Sequence, residues 1–392
     1  MSDEEFIKIP KFFLSACGLW PFKLTKNIAY SKLYKCYSRI LTIFYICFII
    51  SLGINSCILL IKHDQPTRMF GSVNVLIIVL ESCVKMLLFQ IKNIPDMCQH
   101  IKENEKGILE TDDQEVTKCY RKEVIYCRRV NTVQLMVTAV SCAAFSLESI
   151  LKLCASEDMS EFKDQPFMHD IWYPFKREKH MPLVVFINMV VVVQGFFLNT
   201  ATQTTFICLM IYASTRFKIL HIRLRKFDVI AKKKHAGDVL FTVKELICEH
   251  QLLIGFVESL NKRTNYVMLL EFILNSVSLA SVTIQLVVTD TTSSMFSATA
   301  IVTLILLQIF ILAWSANEIT LEGLNVADAI SASKWYEQIE EVNQLFRLML
   351  LKAQKPIGIR VGPFFQMNTR TALMTLKIAY SYLSLMMQKY EV

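Results

Sequence analysis

Three long stretches carry no Asp, Glu, Lys or Arg: Ile40 to Ile61 runs for 22 residues, Pro182 to Thr215 for 34, and Thr291 to Asn317 for 27. A helix of about 20 apolar residues crosses a hydrocarbon core of about 30 Å, so each stretch is long enough to span a membrane. A chain of 392 residues would ordinarily divide into two or three soluble domains, but 53% hydrophobic against 19% charged residues argues for one polytopic membrane domain.

The formal charge of +8 does not point to nucleic acid, because the Lys and Arg lie in the segments that connect the apolar runs, where they set topology. Asp3, Glu4 and Glu5 open the chain without a basic region leading directly into an apolar core, so no cleaved signal peptide is expected. The twelve cysteines form no CxxC pair and share no metal-ligand spacing with the seven histidines, which favours free, packed thiols and no metal site. No Asn-x-Ser/Thr sequon occurs.

The hydropathy pattern predicts an all-α membrane protein with seven transmembrane helices, at about 40–61, 69–91, 130–151, 182–215, 264–289, 295–317 and 368–388. Residues 1–39 form a basic, patchily apolar segment suited to the inner membrane surface. Residues 92–129 are charged and helical in pattern, while 152–181 is a polar outer loop whose Trp172-Tyr173-Pro174-Phe175 cluster suits the membrane interface. The fourth run would be about 50 Å long as a helix, so it must tilt or project beyond the bilayer. Residues 216–263 hold eleven Lys and Arg against five acids, the strongest inside signal in the chain.

Trp335, Ile339, Val342, Phe346 and Met349 recur at helical spacing between Lys334 and Lys352, a stretch too charged to span and read as a cytoplasmic helix. A link from Pro356 to Pro363 ends it. The expected division is therefore 1–39 cytoplasmic, 40–317 spans one to six with helical extensions, 318–367 anchor helix and link, and 368–392 the last span with the C-terminus. Inner segments sum to about 31 Lys and Arg and outer ones to about 8, which places the N-terminus in the cytoplasm and the C-terminus outside. A heptahelical G-protein-coupled receptor has the opposite orientation, and no internal repeat points to a transporter.

Several separated blocks resemble the insect odorant-receptor family. They are Gly18-Leu19-Trp20-Pro21; Trp172 to Phe175; Cys248-Glu249-His250-Gln251 before Leu260-Asn261; and a C-terminal set beginning at Trp314. That set comprises Ala327-Asp328-Ala329-Ile330, Lys334-Trp335-Tyr336, Gln354-Lys355-Pro356-Ile357 and Ala379-Tyr380-Ser381-Tyr382. The resemblance implies a plasma-membrane protein of sensory neurons that forms a heterotetrameric cation channel with a shared co-receptor. It also implies a pocket for small volatile organic ligands in the outer half. The short segment between spans four and five resembles an odour-specific subunit rather than the co-receptor.

Such a pocket is small and mostly apolar, with one or two polar groups to orient the ligand. Helical spacing in the outer halves nominates Phe70, Asn74, Ile77 and Ile78; Ser141 and Phe145; Phe186, Met189 and Val193; and Val302 and Ile305, although periodicity alone does not separate pocket from core. In the last span Ile378, Tyr382, Leu385 and Lys389 recur at three- to four-residue spacing with Gln388 beside them. The resemblance makes this helix pore-lining, Tyr382, Leu385, Gln388 and Lys389 pore residues and Leu385 the gate. Lys389 departs from a cation path unless it snorkels outward or the co-receptor subunits dominate permeation. Trp335, Ile339, Val342 and Phe346 are the expected assembly residues.

Glu81 and Lys85, four apart, can pair within the membrane as a structural unit. Glu148 suits the headgroup level, and Lys377 is an intramembrane charge with either a functional or a structural pairing role. His250-Gln251 lacks a partner base. No catalytic constellation and no cofactor motif is present, so a membrane-embedded enzyme is disfavoured. The alternative within sensing is a gustatory-type channel that assembles without the co-receptor.

Overall fold

A computed structural model describes residues 6–20, 28–62, 66–155, 171–175, 179–234, 237–288 and 292–390. In chain order the helices are α1 (Lys8–Ala16), α2 (Ile28–Lys62), α3 (Pro66–Ile91), α4 (Ile94–Leu109), α5 (Gln114–Ala155), α6 (Met181–Arg225), α7 (Phe227–Lys234), α8 (Val239–Val288) and α9 (Thr292–Ser331). A 3₁₀ turn (Trp335–Glu337) precedes α10 (Glu340–Ala353), a two-stranded hairpin of β1 (Arg360–Val361) and β2 (Phe365–Gln366) follows, and α11 (Thr369–Tyr390) is last. Each expected span lies, to within a residue, inside α2, α3, α5, α6, α8, α9 or α11. Among the described residues α2, α5, α6, α8 and α9 contain stretches long and apolar enough to cross a membrane.

The helices outrun the apolar stretches. α8 has 50 residues, about 75 Å at 1.5 Å per residue, against a core of about 30 Å. Its projecting part is tied to that of α6 by ion pairs: Glu249 accepts from Arg216 at 3.1 Å and from Arg223 at 2.7 Å. Lys218 reaches Glu123 of α5 at 3.1 Å. The basic segment expected between spans four and five is therefore mostly ordered helix, and α9 likewise runs through 317/318 without a break.

α6 is the hub. From Thr200 to Thr215 every side chain is buried, among α3, α5, α8 and α9. Most hydroxyls there are satisfied locally, Thr204 donating to the Thr200 carbonyl and Thr205 to that of Ala201, each at 2.6 Å, while the Thr200 hydroxyl itself has no protein partner among the described residues. Small residues with self-satisfied hydroxyls let neighbouring helices approach closely, which is how spanning helices associate when lipid is as apolar as they are.

Two resemblance blocks have local physical causes. Gly18 ends α1 in the left-handed region (φ +73°), with Leu19 N–H donating to the Leu14 carbonyl at 2.9 Å, the bond that closes a helix with a glycine just past its end. A Cβ at Gly18 would lie 2.9 Å from the Ser38 Cα, so glycine also lets α1 abut α2. Farther along, Arg360 N–H donates to Asn261 Oδ1 (2.8 Å), Gly362 N–H to the Asn265 carbonyl (3.0 Å), and Gln366 Nε2 to Thr320 Oγ1 (3.0 Å). These bonds dock the hairpin onto α8 and α9, so the Pro356–Pro363 link is an ordered corner and not an open loop.

Candidate functional site

At the Met181 end of α6 the segment 171–175 is clasped between two helices. Ser51 Oγ of α2 donates to the Trp172 carbonyl at 2.7 Å, and Asn188 Nδ2 of α6 donates to Tyr173 Oη at 2.9 Å. Ile171 is buried, Tyr173 stacks at a tilt on Phe175 with ring centroids 5.3 Å apart, and both pack on an apolar cluster of Met181, Val184, Val185, Met189, Val192 and Phe145. The interfacial aromatics expected from sequence thus also cover a patch between α5 and α6, with the Asn188–Tyr173 pair as its polar handle. Asn188 carried no sequence signal apart from lying in an apolar run.

The nominated ligand residues fall into three groups. Phe145 and Met189 meet in the cluster under Tyr173. Phe186, Met189 and Val193 line a groove of about 450 Å³ between α6 and α2. Ser141, Val302 and Ile305 lie where α5 meets α9: Ser141 Oγ donates to the Ala300 carbonyl at 2.9 Å, and Ile305 is buried core. Ile77 is half-buried and Ile78 exposed on α3, while the side chains of Phe70 and Asn74 lie outside the described residues. Glu148, expected at headgroup level, joins α5 to α9 by accepting from Ser294 Oγ at 2.6 Å and from Ser297.

A second constellation is ionic. Lys85 Nζ lies 2.7 Å from Glu81 and 3.3 Å from Glu271 of α8, and Gln203 of α6 donates to Glu271; all four side chains are buried. The Glu81–Lys85 pair is therefore half of a four-residue junction of α3, α6 and α8. Nearer the polar end, His250 is buried beside Phe217, and burial, with the Lys352 charge, pushes its pKa down to about 4. It is neutral at pH 7.

α11 packs on α8 and α9 and buries Thr371, Ala372, Thr375 and Ala379. Its other face exposes Met374, Lys377, Ile378, Ser381, Leu385 and Gln388. Tyr382 and Lys389 lie on α11 with side chains outside the described residues. Of the assembly candidates, Val342 and Phe346 are fully buried in this chain's own core, Phe346 with its ring 5.2 Å from Phe227 and 6.5 Å from Trp335. This corrects the expectation for those two: the apolar face of α10 is already covered by α8 and α9, so neither reaches another chain. Trp335 is half-buried beside Phe346, and Ile339 is exposed. The single helix expected from Lys334 to Lys352 is also broken, because Ile339 is extended (ψ 153°) and α10 begins after it.

A bundle of membrane-length helices with an apolar, aromatic-lidded cluster at one end is the architecture of a multi-pass membrane protein. The chain belongs to the 7tm odorant receptor family, whose model matches residues 65–380. Odorant receptor 10 of Aedes albopictus is 26% identical over 210 residues, covering 53% of this chain and 56% of that one. Odorant receptor Or2 of Anopheles gambiae is 28% identical over 168 residues, covering 43% and 44%. The chain thus spans about half the length of these relatives. The fold is shared with the insect olfactory receptor OR5 from Machilis hrabei, solved in complex with eugenol: TM-score 0.82 at 18% identity over 98% of this chain and 99% of that one.

Proposed function

We propose that this chain is the odour-specific subunit of a ligand-gated, non-selective cation channel, formed as a heterotetramer with the family's shared co-receptor in the plasma membrane of sensory neurons. The observation that carries the reading is α11, a membrane-length helix packed along one face and bare along Met374, Ile378, Ser381 and Leu385, as a helix lining a shared axis would be. The distribution of Lys and Arg supports a cytoplasmic N-terminus and an extracellular C-terminus. With that orientation the Tyr173 cluster is extracellular, and a small, largely apolar ligand with one hydrogen-bonding group suits Phe145 and Met189 beside the Asn188–Tyr173 pair.

Current recording with an odorant panel, with and without the co-receptor, tests the assignment. Odour-evoked current is expected only from the co-expressed pair; equal currents from this chain alone would instead favour a gustatory-type channel. Phe145→Ala and Met189→Ala each remove several methylene equivalents from an apolar contact, each worth roughly 1–3 kcal/mol of discrimination. The concentration for half-maximal response is therefore expected to move by about tenfold or more, with surface assembly unchanged. Superimposable dose–response curves would place the ligand elsewhere.

A further inference from the structure

The junction of α3, α6 and α8 carries more negative charge than its own residues balance. Glu81 and Glu271 both face Lys85, which leaves one negative charge uncompensated among side chains that are all buried. The helices packed around it bring no second cation among the described residues. α6 from Pro182 to Thr215 and α9 from Thr292 to Asn317 contain no charged residue, and Lys377 of α11 is exposed. Arg263 is the next cation along α8, but it lies about 12 Å down the helix at 1.5 Å per residue and donates to the Lys92 and Asn93 carbonyls. An unbalanced charge at membrane depth is costly, so it calls for a counter-ion.

Polar atoms without partners lie at the same place. Gln203 donates to one oxygen of Glu271, and Lys85 lies against that same oxygen. The second oxygen of Glu271 and the amide oxygen of Gln203 have no hydrogen-bond partner among the described residues. The helix register brings in two more such atoms. Phe89 of α3 meets Phe206 of α6 edge-on with ring centroids 5.0 Å apart, so these helices run parallel; the bonds from Arg263 to the α3 end, 2.8 and 2.7 Å long, show that α8 runs against them. One turn from Lys85, Gln203 and Glu271, on the side away from Phe89, the three helices therefore carry Glu81, Thr200 and Asn275 in the next layer. Thr200 Oγ1 and Asn275 Nδ2 are also unpartnered among the described residues. Thr200, Gln203, Glu271 and Asn275 are each no more than 4% exposed.

Unpartnered buried polar atoms beside an unbalanced charge mark the place of an ion and its water. A proton would join Glu271 to Gln203 and leave Thr200 and Asn275 as they are. A divalent ion would turn an excess negative charge into an excess positive one. A monovalent metal ion removes the charge and takes oxygen ligands from carboxylate, amide and water, and its waters serve a hydroxyl and an amide one turn away. We propose that the junction of α3, α6 and α8 binds one sodium ion through Glu271 Oε2 and Gln203 Oε1, with water linking it to Thr200 and Asn275. Sodium, smaller than potassium, suits side chains that are already in contact. The ion sits inside one chain, away from the exposed face of α11, and pins α8 to α3 and α6. The site needs only this chain's fold, so it stands or falls separately from the odorant assignment.

Thermal unfolding of the full-length chain in its assembled complex, in sodium, potassium or N-methylglucamine chloride at equal ionic strength, tests the site. Wild type is expected to melt about 2–4 °C higher in sodium than in N-methylglucamine, with a smaller increment in potassium. Glu271→Gln removes the excess charge and is expected to stay folded and lose the sodium increment. Thr200→Val keeps the shape without the hydroxyl and is expected to need more sodium for the same increment, which gives a second readout should Glu271→Gln fold poorly. Equal melting of wild type in all three salts would overturn the proposal, as would a full sodium increment in both variants. Potassium stabilising as well as sodium would overturn the choice of ion. A wild type stabilised by acid and indifferent to sodium would make the counter-ion a proton and sink the metal site.

Discussion

Lys85→Met is expected to lower the yield and the melting temperature of folded protein sharply, while Glu271→Gln at the same junction is expected to be tolerated. Among the described residues Lys85 is the one cation between two buried carboxylates, Glu81 at 2.7 Å and Glu271 at 3.3 Å. Removing it leaves two like charges facing each other away from water, and losing one partner of a buried ion pair costs about 3–5 kcal/mol. That is a large part of a stability of about 5–15 kcal/mol. Glu271→Gln instead leaves one Lys against one Glu, a neutral pair, and keeps an amide beside Gln203. Thermal unfolding followed by size-exclusion profile distinguishes the two, and Lys85→Met with Glu81→Gln and Glu271→Gln should recover folded material. A Lys85→Met protein that melts like wild type would mean that the two carboxylates are already neutralised by another route.

Leu385→Ser, co-expressed with the co-receptor, is expected to raise cation current in the absence of odour without lowering surface yield. Leu385 is 63% exposed and lies on the face of α11 away from α8 and α9, so the substitution disturbs little in the chain's own packing. In a channel its exposed face would meet the other subunits' copies of the helix, and a ring of apolar side chains closes a pore by excluding water. A hydroxyl at that level favours hydration. Recordings before any odour is applied read the effect; wild-type leak and gating would assign closure to the co-receptor alone.

The spans were legible because runs such as Ile40–Ile61 and Pro182–Thr215 state their burial in composition. The helix ends were not, since Arg216 to Arg225 continue α6 as charged residues whose partners, Glu249 and Glu123, are remote in sequence. Glu271 escaped notice for the same reason. It lies alone in the fifth apolar run, and only the packing of α3 against α8 brings it to Lys85, 186 positions earlier. Periodicity found the apolar face of α10 correctly at Val342, Phe346 and Met349. It does not say which surface covers that face, and the cover is this chain's own α8 and α9. Within the ligand set, spacing nominated Phe145 and Met189, which meet in one cluster, but spacing along single helices carries no information on how α5 and α6 rotate against each other, so Asn188 beside them went unmarked.

The continuity of α6 has a mechanical consequence. Its 45 residues make one rod about 67 Å long, with its only proline at the second position and its lower part clamped through Arg216 and Arg223 to Glu249 of α8. A rod without a hinge transmits tilt rather than bending: each degree of rotation about its midpoint swings the ends about 0.6 Å in opposite directions. In the proposed ligand site, a push on Met189 would displace the arginine clamp as well, and α8, which carries Glu249, is one of the two helices on which α11 rests.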